Sequence, residues 1–179
     1  HILIRYGELA LKKSNRKQFI NRINKSIKRA LEGYDNLEYD SRGLRFYIIL
    51  NNNPTDEIVE ILKKIPGIYS FSVVSKCNSN IEDIAALATK LLEEEFKNGM
   101  KTIKVDTNRG DKHFPMTSLE ITKEVSRHLF RNIQGLKADV HNPELTLHLD
   151  VRYEGTFIFT NVIMGMGGMP SGSIGKVML

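Results

Sequence analysis

Tryptophan is absent from this chain, and cysteine occurs once, as Cys77. A lone thiol excludes an internal disulfide framework and a cysteine-built zinc site, and it suits a reducing compartment such as the cytoplasm. The histidines, His1, His113, His128, His141 and His148, include no HExxH or other close ligand pair, so no metal site is expected. No apolar run approaches the roughly eighteen residues of a membrane span, and no secretory leader is expected before Ile2. A membrane is therefore not among the expected partners. No serine occupies a Gly-x-Ser-x-Gly elbow. The glycine-rich stretch near the C-terminus fails as a Walker or dinucleotide loop, because Pro170 stands where glycine is needed. These absences leave no catalytic centre and no cofactor site legible in the residues themselves.

What is present is that of a globular protein. The 179 residues are 41% hydrophobic and 26% charged, too apolar for disorder and enough for one ordinary domain or two small ones. The net charge of +5 is mild, but its distribution is uneven. Residues 1–45 carry 11 basic and 5 acidic side chains, and residues 99–131 carry 7 and 4. Residues 80–98 carry 2 and 5. Two separated basic segments are what an electrostatic footprint for a polyanion would show. A solvated helix face produces the same local pattern, and the sequence leaves both readings open.

Periodicity divides the chain in two. Residues 1–77 read as strand, helix, strand, strand, helix, strand, the order of a ferredoxin-like split βαβ sandwich. Its first helix is expected from a cap at Ser14 to about Glu32, with Phe19, Ile20, Ile23 and Ile27 on one face. Residues 78–164 begin with a helix to about Lys97, followed by a strand over Thr102–Asp106 and a polar loop from Thr107 to Phe114. Thr117-Ser118-Leu119-Glu120 is a capping box opening a second helix. Leu145, Leu147, Leu149 and Val151 alternate with polar residues, which marks a strand with one buried face and leads into a hairpin at Gly155. Residues 165–179 have a linker composition.

The basic residues form geometrical sets. Lys12, Lys13, Arg16 and Lys17 crowd the start of the first helix, where exposed N–H groups add positive potential. Arg22, Lys25 and Arg29 follow on that helix, and Lys123, Arg127 and Arg131 recur every four residues on the later one. The loop Asn108-Arg109-Gly110-Asp111-Lys112-His113-Phe114 joins cations to an aromatic ring. Phe114 has two uses open to it: stacking on an unpaired base, or the commoner role of anchoring its loop in the core.

Ile2-Leu3-Ile4-Arg5-Tyr6-Gly7-Glu8, Leu11-Lys12, Asn15-Arg16 and Phe19 resemble the opening of bacterial tRNA 4-thiouridine sulfurtransferases of the ThiI type. Lys104-Val105 with Arg109, Asp111 and Lys112, then Asp139-Val140-His141-Asn142-Pro143, resemble that family's THUMP domain. Gly167-Gly168-Met169-Pro170-Ser171-Gly172-Ser173 and Gly175-Lys176 resemble its connection to the catalytic domain. Lys13 stands where relatives carry glycine, and Asn108 where a second basic residue is usual.

The resemblance implies an α+β architecture, ferredoxin-like domain then THUMP, serving a tRNA-modifying enzyme that makes 4-thiouridine at tRNA position eight. It implies a following ATP-pyrophosphatase domain, using ATP with magnesium, whose Ser-Gly-Gly-x-Asp-Ser loop this sequence does not contain. By itself the chain is then expected to bind tRNA without modifying it. For the parent enzyme it implies a persulfide-donating cysteine desulfurase as partner, a link to thiamine biosynthesis, and admits a homodimer. The RNA contacts expected are Lys12, Arg16, Lys104, Arg109, Lys112, Phe114, Lys123 and Arg127, with THUMP holding the unpaired CCA end. Two alternatives remain at this stage: a THUMP module of a tRNA methyltransferase or deaminase, and an acylphosphatase-like hydrolase on the first sandwich.

Overall fold

The computed structural model describes residues 1–7 and 14–168. Lys12, and the expected linker from Met169 onward, lie outside the described residues. The chain forms two units, one of His1–Val73 with the segment from Val162, the other of Val74–Asn161.

The first unit is an antiparallel sheet with two helices packed on one face. β1 (Ile2–Tyr6) lies between β3 (Arg45–Ile49) and β4 (Ile68–Val73), and β2 (Glu38–Arg42) pairs with β3. Alternation sends Ile2, Ile4 and Tyr6 of β1 into the core with Phe46 and Ile48 of β3. Helix α1 (Arg16–Ala30) adds Ile20, Ile23 and Ile27, and α2 (Thr55–Leu62) adds Ile58 and Leu62. Burial of these branched side chains, each contributing about 1.5–3 kcal/mol, is the main force holding helices to sheet. The expected cap at Ser14 is displaced by one residue: Asn15 is the N-cap of α1, and its side chain makes no capping bond.

The second unit is a mixed sheet of order β5-β9-β8-β6-β7. β5 is Ser75–Cys77, β6 Thr102–Arg109, β7 Lys137–Ala138, β8 Leu145–Arg152 and β9 Gly155–Phe159. β6 runs parallel to β7 and β8, and β8 and β9 form an antiparallel hairpin. Helices α3 (Ile81–Lys97) and α4 (Ser118–Asn132) supply Ile84, Ala88, Leu92, Ile121, Val125 and Leu129 to a core shared with Ile103, Leu147, Leu149, Val151 and Ile158. The capping box is present: Thr117 Oγ1 accepts from Glu120 N, and a Glu120 carboxylate oxygen accepts from Thr117 N at 2.7 Å.

Three expectations are corrected. The stretch Thr107-Asn108-Arg109 is strand, because β8 is long enough to pair with it through Leu149, Asp150 and Val151. The first boundary falls after Val73 and not Cys77, since Ser75–Cys77 hydrogen-bonds to β9. The second falls before Val162: β10 (Ile163–Met164) returns to pair with β4 of the first sheet. The glycines that follow are docked there too. Gly165 N donates to Tyr69 O and Gly167 N to Ile68 O, both at 2.8 Å, and Gly67 N donates to Gly167 O.

Candidate nucleic-acid interface

In the first unit, α1 carries six basic side chains and no acidic one. Its apolar stripe is buried, so Lys17, Arg22, Lys25, Lys28 and Arg29 are left exposed around the rest of the helix. A face kept soluble by charge alone would interleave acids with bases. Arg16 is half-buried and, with Ser14, Lys17, Ile20, Asn21, Ser41 and Gly43, lines a groove of about 450 Å³ between the start of α1 and the β2–β3 turn.

In the second unit the candidate loop follows β6. Arg109 ends that strand on the helix-covered side, and its Nη1 donates to Phe114 O at 3.4 Å and Met116 O at 3.3 Å. Gly110 N and Asp111 N both donate to Val151 O, at 2.9 and 3.1 Å. Asp111 Oδ1 accepts from His113 N at 2.9 Å. These bonds fold the loop tightly and leave Lys112 and His113 outside, the His113 side chain 95% exposed. Phe114 is 6% exposed and belongs to the second core. The expectation that it stacks on a base is therefore corrected: its ring is the hydrophobic anchor on which the loop is closed.

The remaining candidates divide. Lys123 and Arg127 are exposed on α4, which is registered over β6 by a hydroxyl–hydroxyl bond between Thr122 and Thr107 of 2.7 Å. Arg127 is ion-paired with Glu124. Hydrogen bonds from Thr117 hold the Glu120 carboxyl below its ordinary range, with the charges of Arg109 and Lys123 adding to the effect. Glu120 thus shares its surroundings with both cations, and it also closes the N-terminus of α4. Lys104 does not join this group. It alternates with Ile103 and Val105 on β6, so it stands on the other face of the sheet, in register with Thr146. That face also carries the His148–Asp106 pair at 3.4 Å and the stack of His148 on Phe159 at 4.8 Å.

Three features escaped sequence reasoning. One is the contact of the Arg152 guanidinium with Gly110, which joins residues more than forty positions apart. Another is the exposure of Tyr153 at the β8–β9 turn, 87%. An aromatic residue between Arg152 and Gly155, where turn-forming residues are usual, was its one available signal. The third is the unmixed charge of α1 as a whole. Among the described residues, no group of three or more His, Cys, Asp or Glu side chains is placed to hold a metal ion. Burial pushes the Cys77 thiol up to about 11, with the Asp83 charge adding to the shift, so at neutral pH it is protonated and a poor nucleophile.

The family model described as the ThiI ferredoxin-like domain matches residues 1–72, and that of the THUMP domain matches residues 78–161. The chain belongs to the ThiI family. A probable tRNA sulfurtransferase of Bacillus subtilis is 41% identical over 179 residues, covering 100% of this chain and 44% of its own length. Among solved structures, a 4-thiouridine synthetase in complex with RNA and ATP superposes with a TM-score of 0.83 at 30% identity, covering 96% of this chain and 43% of that one. The Pyrococcus horikoshii protein PH1313 gives the same TM-score at 26% identity, over 96% of this chain and 57% of its own. The chain thus spans less than half the length of the sulfurtransferase it matches. Within the ThiI family it supplies the ferredoxin-like and THUMP domains, as the residue pattern implied.

Proposed function

We propose that this chain is the tRNA-capturing portion of an ATP-dependent sulfurtransferase that installs 4-thiouridine at tRNA position eight in the cytoplasm. The observation that carries the reading is that one unit has a helix whose charged side chains are all basic and the other has a tightly braced cationic loop. The relative of known structure that was solved with RNA supports it. In this reading Arg16 and its groove, the outer face of α1 and Lys12 engage phosphates of the acceptor region. A-form duplex is recognised through shape and backbone, which suits exposed cations on a helix.

The loop after β6 then serves the unpaired CCA 3′ end, with Lys112 and Lys123 on phosphates. Arg109 acts mainly as a positioning residue, because its guanidinium is committed to the loop's own carbonyls. Adenylation of the uridine with ATP and magnesium, sulfur transfer from a persulfide supplied by a cysteine desulfurase, and homodimer assembly belong to the whole enzyme. Titration of this chain with tRNA at several salt concentrations tests the reading. With about five phosphates neutralised, log K falls against log salt with a slope near −3.5 to −4.5. A slope near zero, or no binding at low salt, would reject it.

A further inference from the structure

We propose that Tyr153, at the tip of the β8–β9 hairpin, stacks on an unpaired base at the 3′ end of the RNA, with Lys112 and His113 of the neighbouring loop on the adjoining backbone. The inference rests on the tRNA-binding reading above and names the residue that reads the single strand. Stacking on a flexible 3′ end needs an aromatic face that is open to solvent and carried on rigid backbone. Phe114 lacks the first property, being buried in the core. Tyr153 has both.

Its openness is direct: the side chain is 87% exposed. Arg152 pairs with Gly155, so Tyr153 and Glu154 alone make the turn. Turns of that length favour Asn, Asp and Gly, and a tyrosine gains no burial there that would account for its presence. Rigidity comes from the β8 side of the turn. Val151 O accepts from Gly110 N and Asp111 N, and Ser79 Oγ donates to Arg152 O at 2.9 Å. The Arg152 side chain is itself held by Asp150 at 2.8 Å. A ring on backbone so fixed loses little freedom on binding, which favours affinity.

The surroundings select a nucleotide over an apolar protein surface. The bonds from Gly110 and Asp111 to Val151 bring the loop carrying Lys112 and His113 to the same end of the sheet as the hairpin tip. Both of those residues are exposed. An aromatic face near cationic and imidazole groups matches a base attached to a phosphate. A regular duplex offers no free base face, so the ligand is the unpaired end.

The test uses the full chain with two RNAs, intact tRNA and tRNA trimmed of its unpaired 3′ nucleotides. Tyr153→Ala should weaken binding to intact tRNA by about 5- to 100-fold. Tyr153→Phe should stay within about twofold, since the stacking face is kept. On trimmed tRNA the wild type and Tyr153→Ala should bind alike. Because the ring is exposed, melting of the variants should be unchanged. Equal affinity of wild type and Tyr153→Ala for intact tRNA overturns the stacking role while leaving tRNA binding standing, as does an equal loss on both RNAs. Failure of the wild type to bind either RNA overturns both.

Discussion

A methyl group added to Gly110 would stand 2.0 Å from Nη1 of Arg152 and 2.4 Å from its Cζ, so the guanidinium occupies the space a Cβ needs. The requirement for glycine here is one of close approach. The same guanidinium bonds to Asp150, a carboxylate only 4% exposed. The loop after β6 and the β8 strand are thereby joined through a charged group lying on bare backbone.

Gly110→Ala is expected to move Arg152 off Asp150 and loosen the loop, lowering stability by about 1–2 kcal/mol, the range of a charged hydrogen bond lost in a partly buried setting. Gly110→Ala combined with Arg152→Ala should recover much of the added steric loss relative to Gly110→Ala alone. Denaturant unfolding of the single and double variants measures this, and strict additivity would refute the contact.

Phe114→Ala should cost about 3–5 kcal/mol, the loss typical of a core aromatic. Phe114→Leu should cost far less and keep tRNA affinity close to wild type, because a core anchor needs bulk and a stacking platform needs a ring. Loss of RNA affinity in Phe114→Leu with melting preserved would restore the stacking role that burial rules out.

A Cβ on Gly165 would lie 2.3 Å from the Ile68 carbonyl oxygen, a backbone atom held within β4. Gly165→Ala must therefore push β10 away from β4 and break the bonds from Gly165 N to Tyr69 O and Gly167 N to Ile68 O. We expect a loss of about 1–3 kcal/mol, with faster amide exchange at Gly165 and Gly167. Exchange at α4 amides should not change.

Alkali should unfold the protein in a window that Tyr6 helps to set. Burial pushes the Tyr6 phenol from 10.0 up to about 12, while its hydroxyl donates to Asn24 Oδ1 at 2.5 Å. The group is neutral in both states below pH 10, so its contribution is complete there. Above that the unfolded chain ionises first, and stability falls until the folded phenol titrates, by about 3 kcal/mol at most and less where solvent screens the phenol. Tyr6→Phe should be about 1 kcal/mol less stable at pH 8, through the lost hydrogen bond, and should lose less between pH 10 and 12. Parallel pH profiles for the two proteins would contradict the assignment.

Replacing Lys17, Lys25 and Arg29 together by glutamine should reduce the salt slope of tRNA binding by about 2–3, because each phosphate contact contributes nearly one unit. All three are exposed, so the melting temperature should hold. An unaltered slope would mean that the helix face is solvated and the RNA lies elsewhere.

The ferredoxin-like order, the capping box at Thr117 and Glu120, the α1 stripe of Ile20, Ile23 and Ile27, and the alternating strand from Leu145 were all legible in the sequence. Each is written in spacings of two to four residues, where local backbone geometry dictates which side chains share a face. The family resemblance was legible for a related reason, since it lies in short ordered motifs. The placement of the candidate residues was not. Phe114 turns into the core, Arg109 turns to its own loop, Lys104 falls on the opposite sheet face, and Arg152 lies on Gly110 because β6 pairs with β8 in one particular register. That register is set by packing across about forty intervening residues, and a shift of one residue would exchange every face. Local spacing chose the groups able to meet RNA; only tertiary pairing decided which of them meet solvent.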